Sequence, residues 1–294
     1  MHRTFRLFVA FISLATVTLA DDQIDYAKPR QLARLGNTDI KESSGLAVSL
    51  SNENLFWTHN SAGDQPRFFG FNLEGTHVVE YRIDGKHVDW ADMAVFKTDR
   101  QVYMVFADTG DEGLKRKSCT LYVLREPKQP KAPKFGKVDT IKPQAVIDFT
   151  FEGGPQNCEA MGVDGSMIKA AKVILISKSD TGTCKVFELP LPESKDKGPF
   201  VAKAIATLTI PTVVSLTISP DGRRAMVLTY GDAYEFTRGE KETWTQAFEK
   251  RARVLEMPTR RKGETICFGL DGKTLYLTGE GSPAPFWMVP VREE

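Results

Sequence analysis

The chain has 294 residues, of which 39 are lysine or arginine and 38 are aspartate or glutamate, and its formal net charge is +1. This balance excludes a nucleic-acid-binding protein that acts through counterion release, because there is no surplus of positive charge to neutralise phosphates. A hydrophobic content of 41% and a charged content of 26% are typical of a globular chain and exclude a disordered one.

The first twenty residues have the pattern of a secretory signal peptide. Arg3 and Arg6 precede an uncharged apolar run at 7–20, and an acidic pair follows it. The alternative is an N-terminal membrane anchor, but this run is short for a span of about 20 residues. We therefore expect cleavage after Ala20 and a secreted or periplasmic protein without a stable membrane span. Loss of the two arginines changes the formal charge from +1 to −1.

Short predicted strands make up nearly all of the remaining chain. Helical periodicity is confined to 243–251, and elsewhere runs of β-branched and aromatic residues alternate with Gly, Pro, Asn and Asp. One unit recurs, in which an apolar inner strand is followed by a polar turn, a strongly apolar second strand, a polar loop and a third strand. This repeat predicts an all-β chain that forms a single β-propeller domain over residues 21–294. The units begin near Leu46, Met93, Met161, Leu216 and Ile266.

Five units are visible, and the fifth ends after its third strand. The strand-like segment 30–35 can supply the missing outer strand, which would close the ring and remove exposed edges. The prediction is therefore five four-stranded blades closed by an N-terminal strand. Six blades are the alternative, with the sixth inside 126–153, a lysine- and proline-rich stretch that instead indicates a long surface loop and one strand at 146–151.

Acidic and amide residues recur at matching positions of the units. The loop before each inner strand and the loop after each second strand lie on one face of a propeller, near its axis, so these side chains are expected to form a ring. Carboxylates this close repel one another unless a cation lies among them. Oxygen ligands without sulfur suit Ca²⁺ or Mg²⁺. For a single aspartate a turn-forming role is the simpler explanation, but the recurrence favours a site.

We therefore expect a divalent cation at this face, Ca²⁺ before Mg²⁺. Its predicted ligands are Glu159, Glu264, Asp92 and Asp108. The two candidate catalytic residues are His59 and Lys178, and an ion pair with a neighbouring aspartate is the simpler alternative for the lysine. The residues predicted to contact a ligand are Glu42, Asn60, Asp89, Trp90, Asp111, Tyr230 and Glu280, and packing between blades is the simpler alternative for the tryptophan.

Four cysteines in a chain expected to be exported permit disulfides. Their spacing contains no zinc-binding pattern. Cys158 and Cys184 fall on the same face of one predicted blade, and we expect a disulfide between them. The alternative is that some cysteines are buried free thiols, and Cys267 has that pattern because it lies between Ile266 and Phe268.

Eight short motifs follow one another along the chain. They are ESSGL (42–46), HNSAG (59–63), DWADM (89–93), ADTGD (107–111), LYVLREP (121–127), CEAM (158–161), SPDG (219–222) and GE (263–264). In this order they resemble exported propeller proteins grouped with the esterase-like phytase and SdiA-regulated domain families. The resemblance spans about the whole mature chain and implies an ester or phosphoester hydrolase. The family motif Asp-Trp-Glu-Asp has alanine at its third position here, Ala91, so one of three equivalent glutamates is missing.

Two functions are consistent with these features. In the first, a carboxylate-bound cation polarises a phosphoryl or carbonyl oxygen and activates water, as in a metal-dependent esterase or phosphoesterase. In the second, a non-catalytic propeller uses the same ring to bind structural Ca²⁺, a small cationic ligand or a partner protein. Ala91 favours the second. The lack of a Gly-x-Ser-x-Gly motif and of a glycine-rich phosphate loop gives little support to catalysis by a nucleophilic side chain. We expect a monomer with a small-molecule or protein ligand at the channel face and no nucleic acid.

Overall fold

The computed structural model describes residues 23–99, 101–130, 138–166, 171–192, 196–260 and 262–292, and the predicted signal peptide lies outside these ranges. The described chain contains 21 strands and one short helix, α1 (Trp244–Phe248). A capping box formed by Thr243 and Gln246 begins this helix. None of the helices in the described ranges is long and apolar enough to cross a membrane. The all-β prediction is confirmed.

The strands form five blades, each with four antiparallel strands that run outward from a common axis. From the innermost strand outward, blade 1 contains β2 (Ser43–Val48), β3 (Phe56–Asn60), β4 (Arg67–Phe71) and β5 (His77–Ile83), and blade 2 contains β6 (Trp90–Lys97), β7 (Val102–Asp108), β8 (Cys119–Arg125) and β10 (Ala145–Phe151). Blade 3 contains β11 (Cys158–Asp164), β12 (Lys172–Ser177), β13 (Cys184–Pro190) and β14 (Phe200–Leu208). Blade 4 contains β15 (Val213–Ile218), β16 (Arg224–Thr229), β17 (Ala233–Thr237) and β18 (Arg253–Leu255), and blade 5 contains β19 (Thr265–Phe268), β20 (Leu275–Thr278), β21 (Pro285–Val289) and β1 (Arg30–Arg34).

The blades close into a ring. Their inner strands pack in the cyclic order β2, β6, β11, β15, β19 and back to β2. The closing contact is the N-terminal strand β1, which pairs antiparallel with β21 from Arg30 opposite Met288 to Arg34 opposite Pro285. This pairing covers the outer edge of the last blade and joins the two ends of the chain, as the sequence predicts.

The segment 126–153 contributes no inner strand in the parts that are described. Its strand β10 is the outer strand of blade 2 and also pairs in parallel with β14, with Phe149 opposite Phe200, which links blades 2 and 3. A short strand not predicted from the sequence, β9 (Asp139–Ile141), adds in parallel to β5 of blade 1. The described residues therefore form five blades, and the six-bladed alternative is not supported.

Apolar contacts between neighbouring blades form the core. Each of the five blade interfaces holds its own cluster of buried side chains. Second strands lie between two blades, so β3 is buried along its whole length, whereas the outer strand β10 alternates between buried and exposed positions. Trp57 fills the interface of blades 1 and 2, and its indole N–H donates to the Glu126 carboxylate at 2.7 Å.

The predicted Cys158–Cys184 disulfide is wrong, because all four cysteines are buried free thiols. Cys158 begins β11 and Cys184 begins β13, and β12 lies between these strands. Two strand spacings of about 4.8 Å separate the two backbones, which exceeds the Cα distance that a disulfide can span. The thiols instead lie against carbonyl oxygens, of Ile176 for Cys158 at 3.3 Å and of Ile210 for Cys184 at 2.9 Å. The buried-thiol alternative is confirmed for Cys267 as well.

Candidate functional site

A cavity of about 510 Å³ opens at one end of the channel, where the loops before the inner strands meet the loops after the second strands. All five blades contribute to it, and acidic side chains dominate its described lining. These acids are Glu42, Asp89, Glu112, Glu159, Asp180, Glu264 and Glu280. The basic lining residues that are described are Lys178 and Lys262, and Tyr230 lies beside them. We call this the acidic cavity.

Lys178 lies among the carboxylates of the cavity, and the acids that act on it are Glu159 and Glu264. Its Nζ donates a hydrogen bond of 2.9 Å to the Tyr230 hydroxyl and lies 3.9 Å from Glu159 Oε1. Burial alone would lower the pKa of this lysine, but the bond to Tyr230 and the charges of Glu159 and Glu264 raise it. Lys178 therefore stays an ammonium group and partly neutralises the surrounding acids.

The buried carboxylates of the cavity ionise with difficulty. Burial and the neighbouring charge of Glu280 together raise the pKa of Glu264 to about 7, although Lys178 and Lys262 oppose the shift. Burial also raises the pKa of Glu159 and of Asp89, and the negative charge of another aspartate adds to each shift. Lys262 also pairs with Glu280 at 2.9 Å, but two lysines do not neutralise the seven acids of the cavity, so an added positive charge would be stabilised here.

The inner strands present two layers of side chains at this end of the channel. A register shift of one residue interrupts the first pairing of the inner strand in each of blades 1 to 4. The outer layer lines the cavity with Ser44, Glu159, Val214 and Glu264, and its position in blade 2 is Ala91. The layer beneath consists of Gly45, Asp92, Ala160, Ser215 and Thr265. Asp92 is thus one residue deeper than the two glutamates.

Asp92 closes the channel beneath the cavity. Its carboxylate accepts hydrogen bonds from the backbone N–H groups of Met93, Met161 and Leu216 at 2.9 to 3.1 Å. It also accepts one from the Ser215 hydroxyl at 3.0 Å. Burial raises the pKa of Asp92 well above its usual value, against the effect of these donors. The residue joins the inner strands of blades 2, 3 and 4 and is buried away from the cavity.

Asp108 and Asp111 organise the loop after β7. Asp108 accepts from the backbone N–H of Asp89 at 3.0 Å and pairs with Arg116 at 2.6 Å. Asp111 accepts from two backbone N–H groups of the same loop, one of them that of Arg116. Gly110 is required beside them, because a Cβ there would lie 2.2 Å from Asp89 Oδ2. These residues therefore hold Asp89 at the cavity wall but do not line the cavity themselves.

His59, Asn60 and Trp90 lie in or next to the core. The His59 Nδ1–H donates to the Asn60 carbonyl at 2.9 Å, and burial lowers the pKa of the imidazole to about 4. A Cβ at Gly45 would lie 2.2 Å from its Nε2. Asn60 accepts from the backbone N–H of Glu42 at 3.1 Å and so positions that residue. The ring of Trp90 is buried between blades 1 and 2, as the simpler interpretation of this residue predicts.

The four predicted metal ligands are not brought together. Glu159 and Glu264 line the cavity. Asp92 lies beneath the cavity and accepts hydrogen bonds from protein donors, and Asp108 is paired with Arg116. Among the described residues, no group of three or more His, Cys, Asp or Glu side chains is arranged to hold a metal ion. The four predicted ligands are therefore divided between the cavity and the structure beside and beneath it, and a divalent cation at this face stays a prediction.

Further residues that line the cavity are not predicted from the sequence. Asn157, Glu112, Asp180 and Lys262 line the cavity and were not assigned to the site. The sequence does indicate two of them by their position. Asp180 follows Lys178 in the same loop, and Lys262 directly precedes the GE motif. Arg116 was also missed, since the basic run around it resembles an ordinary surface loop.

Known structures resemble this fold across most of the chain. A glucose dehydrogenase structure matches with 12% sequence identity over 90% of this chain and 100% of that chain, at a TM-score of 0.51. The soluble aldose sugar dehydrogenase of Escherichia coli, in its apo form, matches with 9% identity over 90% and 99%, at a TM-score of 0.50. No protein-family model matches the sequence, and the curated proteins contain no match.

These neighbours are propeller-type enzymes, and at such low identity the likeness concerns the fold alone. Together with the closed ring of five blades, it defines the chain as a β-propeller. Its distinguishing feature is an acidic cavity, with two lysines in its described lining, at one end of the central channel.

Proposed function

We propose that this protein is an exported β-propeller that binds a small organic molecule with a cationic group in the acidic cavity. The observation that carries this proposal is the raised pKa of Glu264, at about 7, within a ring of further carboxylates. A ligand ammonium beside Glu264 would favour the ionised form of that carboxyl group, while Glu280 is already paired with Lys262 at 2.9 Å. The cavity volume of about 510 Å³ is within the range of small-molecule sites.

Binding of a cation should be coupled to proton release. At pH 7 a carboxyl group with a pKa of about 7 is about half protonated, and a bound positive charge lowers that pKa. Titration calorimetry in buffers of different ionisation enthalpy measures the protons released. We expect 1,4-diaminobutane to bind with proton release, and its uncharged analogue 1,4-butanediol to bind at least about tenfold more weakly, since the ammonium supplies the main interaction.

The matched variants are Glu264→Gln and Glu74→Gln. Glu264→Gln keeps the shape of the side chain but removes its charge, so the number of protons released and the affinity should both fall. Glu74 is exposed in the turn after β4, on the opposite face, and its variant should behave like the wild type. Equal binding of the diamine and the diol, or proton release that is undiminished in Glu264→Gln, would refute the proposal. The same titration with CaCl₂ tests the divalent cation predicted from the sequence, for which Glu159 and Glu264 remain the available ligands.

A second candidate function is hydrolysis of a neutral ester or lactone. The observation in its favour is the combination of a carboxyl group that titrates near pH 7 with an ammonium group in the same cavity. Glu264 would take a proton from a water molecule as it attacks the carbonyl carbon, and would return it to the leaving alcohol oxygen. Lys178 would donate to the carbonyl oxygen as negative charge develops there. The surplus of carboxylates would repel phosphoesters.

Turnover of carboxyl-ester and lactone substrates, with and without EDTA, tests this candidate. We expect a rate that rises with pH through about 7 and is abolished in Glu264→Gln, because only ionised Glu264 accepts the proton. Turnover that EDTA abolishes would instead indicate the metal-dependent reaction predicted from the sequence. If no ester or lactone is hydrolysed while the diamine still binds, the protein is a binding propeller only.

A further inference from the structure

A second cavity, of about 470 Å³, lies at the other end of blade 4. It is formed by the turn between β15 and β16, the end of β17 and the start of β18, so it faces away from the acidic cavity. Its described lining includes two acids, Asp221 and Glu235. Arginine dominates the rest, with Arg223, Arg224, Arg238, Arg251 and Arg253. We call this the arginine cavity.

Two of these arginines are held rigidly by the protein. The guanidinium of Arg238 lies 4.7 Å over the Trp244 ring, and its Nε donates to the Gly222 carbonyl at 2.7 Å. Arg238 also pairs with the buried Asp164 at 3.1 Å. The Arg253 guanidinium donates to the Ile24 carbonyl at 2.5 Å. Side chains fixed in this way lose little entropy when a ligand binds.

The remaining arginines leave positive charge and donors available. Among the described residues, Arg223 and Arg251 form no ion pair, and the nearest acid to Arg224 is Asp221 at 3.7 Å. Arg253 lies 3.6 Å from Glu235 and Arg238 is paired with Asp164, so the positive charge left without an acid among the described residues is that of Arg223 and Arg251. An anion in the cavity would balance this charge and can accept hydrogen bonds from the Arg223 and Arg251 guanidinium groups.

We propose that the arginine cavity binds a small organic molecule that carries a phosphate or sulfate ester. Planar guanidinium groups bind such tetrahedral oxyanions through paired N–H donors, with more geometric specificity than lysine provides. The cavity volume is within the range of small-molecule sites, so it has room for an organic part beside the oxyanion. This site is independent of the acidic cavity and of the function proposed for it.

Calorimetry of the full chain in phosphate-free buffer tests the site, with four probes: glucose 6-phosphate, glucose 6-sulfate, glucose and inorganic phosphate. We expect one or both esters to bind, glucose not to bind, and inorganic phosphate to bind more weakly than the better ester. Raising the ionic strength from about 0.02 M to about 0.3 M should weaken binding, because exposed charges are screened. The comparison of the two esters identifies which oxyanion the cavity prefers.

The double variant Arg223→Gln/Arg251→Gln should reduce affinity for the better ester by about tenfold or more, through loss of two charge-assisted contacts. Its melting temperature should match that of the wild type, because neither residue forms an ion pair with described residues. Arg30→Gln/Arg125→Gln, at exposed positions of other blades, is the charge-matched control and should bind normally. Failure of both esters to bind, inorganic phosphate binding as tightly as the esters, or unchanged affinity in the cavity variant would each overturn the proposal.

Discussion

The carboxylate of Asp92 accepts a hydrogen bond from the Ser215 hydroxyl at 3.0 Å, which joins the inner strands of blades 2 and 4 across the channel axis. Ser215 in turn accepts from the backbone N–H of Ile266 in blade 5, at 3.3 Å. A second bond, from the Ser44 hydroxyl to the Ala91 carbonyl, joins blades 1 and 2 at 2.9 Å. Polar groups at the axis therefore link neighbouring blades that are otherwise held by apolar contacts.

Replacing Asp92 with alanine should destabilise the whole ring. The change would leave three buried backbone N–H groups and the Ser215 hydroxyl without their acceptor. Because an unsatisfied buried donor costs about 1–3 kcal/mol, we expect the free energy of unfolding in denaturant titrations to fall by about 3 kcal/mol or more. Asp148→Ala is the control, since Asp148 is exposed and bonds only to Thr120 among the described side chains. A loss no larger than that of the control would show that Asp92 does not stabilise the ring.

Protonation of His59 should destabilise the protein in acid. The pKa of the buried imidazole is about 4, below the value of about 6.5 for an exposed histidine. The unfolded chain therefore binds more protons between these two values, so the contribution of neutral His59 is complete above pH 6.5 and is lost as the pH falls to about 4. It amounts to about 3 kcal/mol at most. Unfolding free energies from pH 4 to 7 should show this slope in the wild type and a smaller one in His59→Gln.

His77→Gln provides the comparison for His59, because the imidazole of His77 is only partly buried. Its removal should leave most of the slope between pH 4 and 6.5 unchanged. An equal slope in the wild type and in His59→Gln would mean that His59 is protonated as readily in the folded protein as in the unfolded chain.

Ionisation of Glu264 should have the opposite pH dependence, because it should lower the stability of the protein as the pH rises. Its pKa of about 7 in the folded protein is above that of an exposed glutamate, so the folded state binds more protons between about 4.3 and 7. Its contribution is complete below this window and is lost as the pH rises through 7. Glu264→Gln should therefore be more stable than the wild type at pH 8, by about 1–2 kcal/mol after allowance for solvent screening. Thermal unfolding at pH 4.5 and pH 8 measures this, and an advantage that is equal at both pH values would contradict it.

The thiols should be unreactive in the folded protein. All four cysteines are buried and free, and burial raises the pKa of Cys119 to about 11. Titration with a thiol reagent should give almost no reaction under native conditions and four thiols in denaturant. The intact mass should not change on reduction. A peptide that links Cys158 to Cys184 would contradict the separation of these residues by β12.

Some features of the site could be predicted from the sequence because they depend on repeat position. Glu159, Glu264 and Tyr230 were assigned by alignment of the units, and all three line the cavity. Alignment could not reveal that the bulge at the start of the inner strands divides neighbouring residues between two layers. For that reason Asp92 was predicted beside the two glutamates and instead lies beneath them.

The locations of individual side chains also depend on tertiary packing, which patterns in the sequence do not show. His59 belongs to a motif at the site face, but the space beside Gly45 and the carbonyl of Asn60 place its ring in the core. Asp108 was predicted as a metal ligand, but it pairs with Arg116, eight residues further along a loop. The arginine cavity is lined by residues from three separate turns and from the segment near Gln23. These segments share no sequence motif, so the cavity could not be predicted from the sequence.

The repeated order of blade strands and the closure by 30–35 could be predicted from the chain alone, because they depend on local periodicity and on turn residues that recur at each unit. The same pattern favoured five blades over six, and the structure decided between them. The face that carries the acidic ring followed from the same topology. Only the tertiary structure decided which acids line the cavity, which acids accept hydrogen bonds from buried backbone N–H groups instead, and where the arginines lie close together. Those outcomes depend on distances between blades, and a carboxylate's hydrogen-bond partners and ionisation change over a few ångströms.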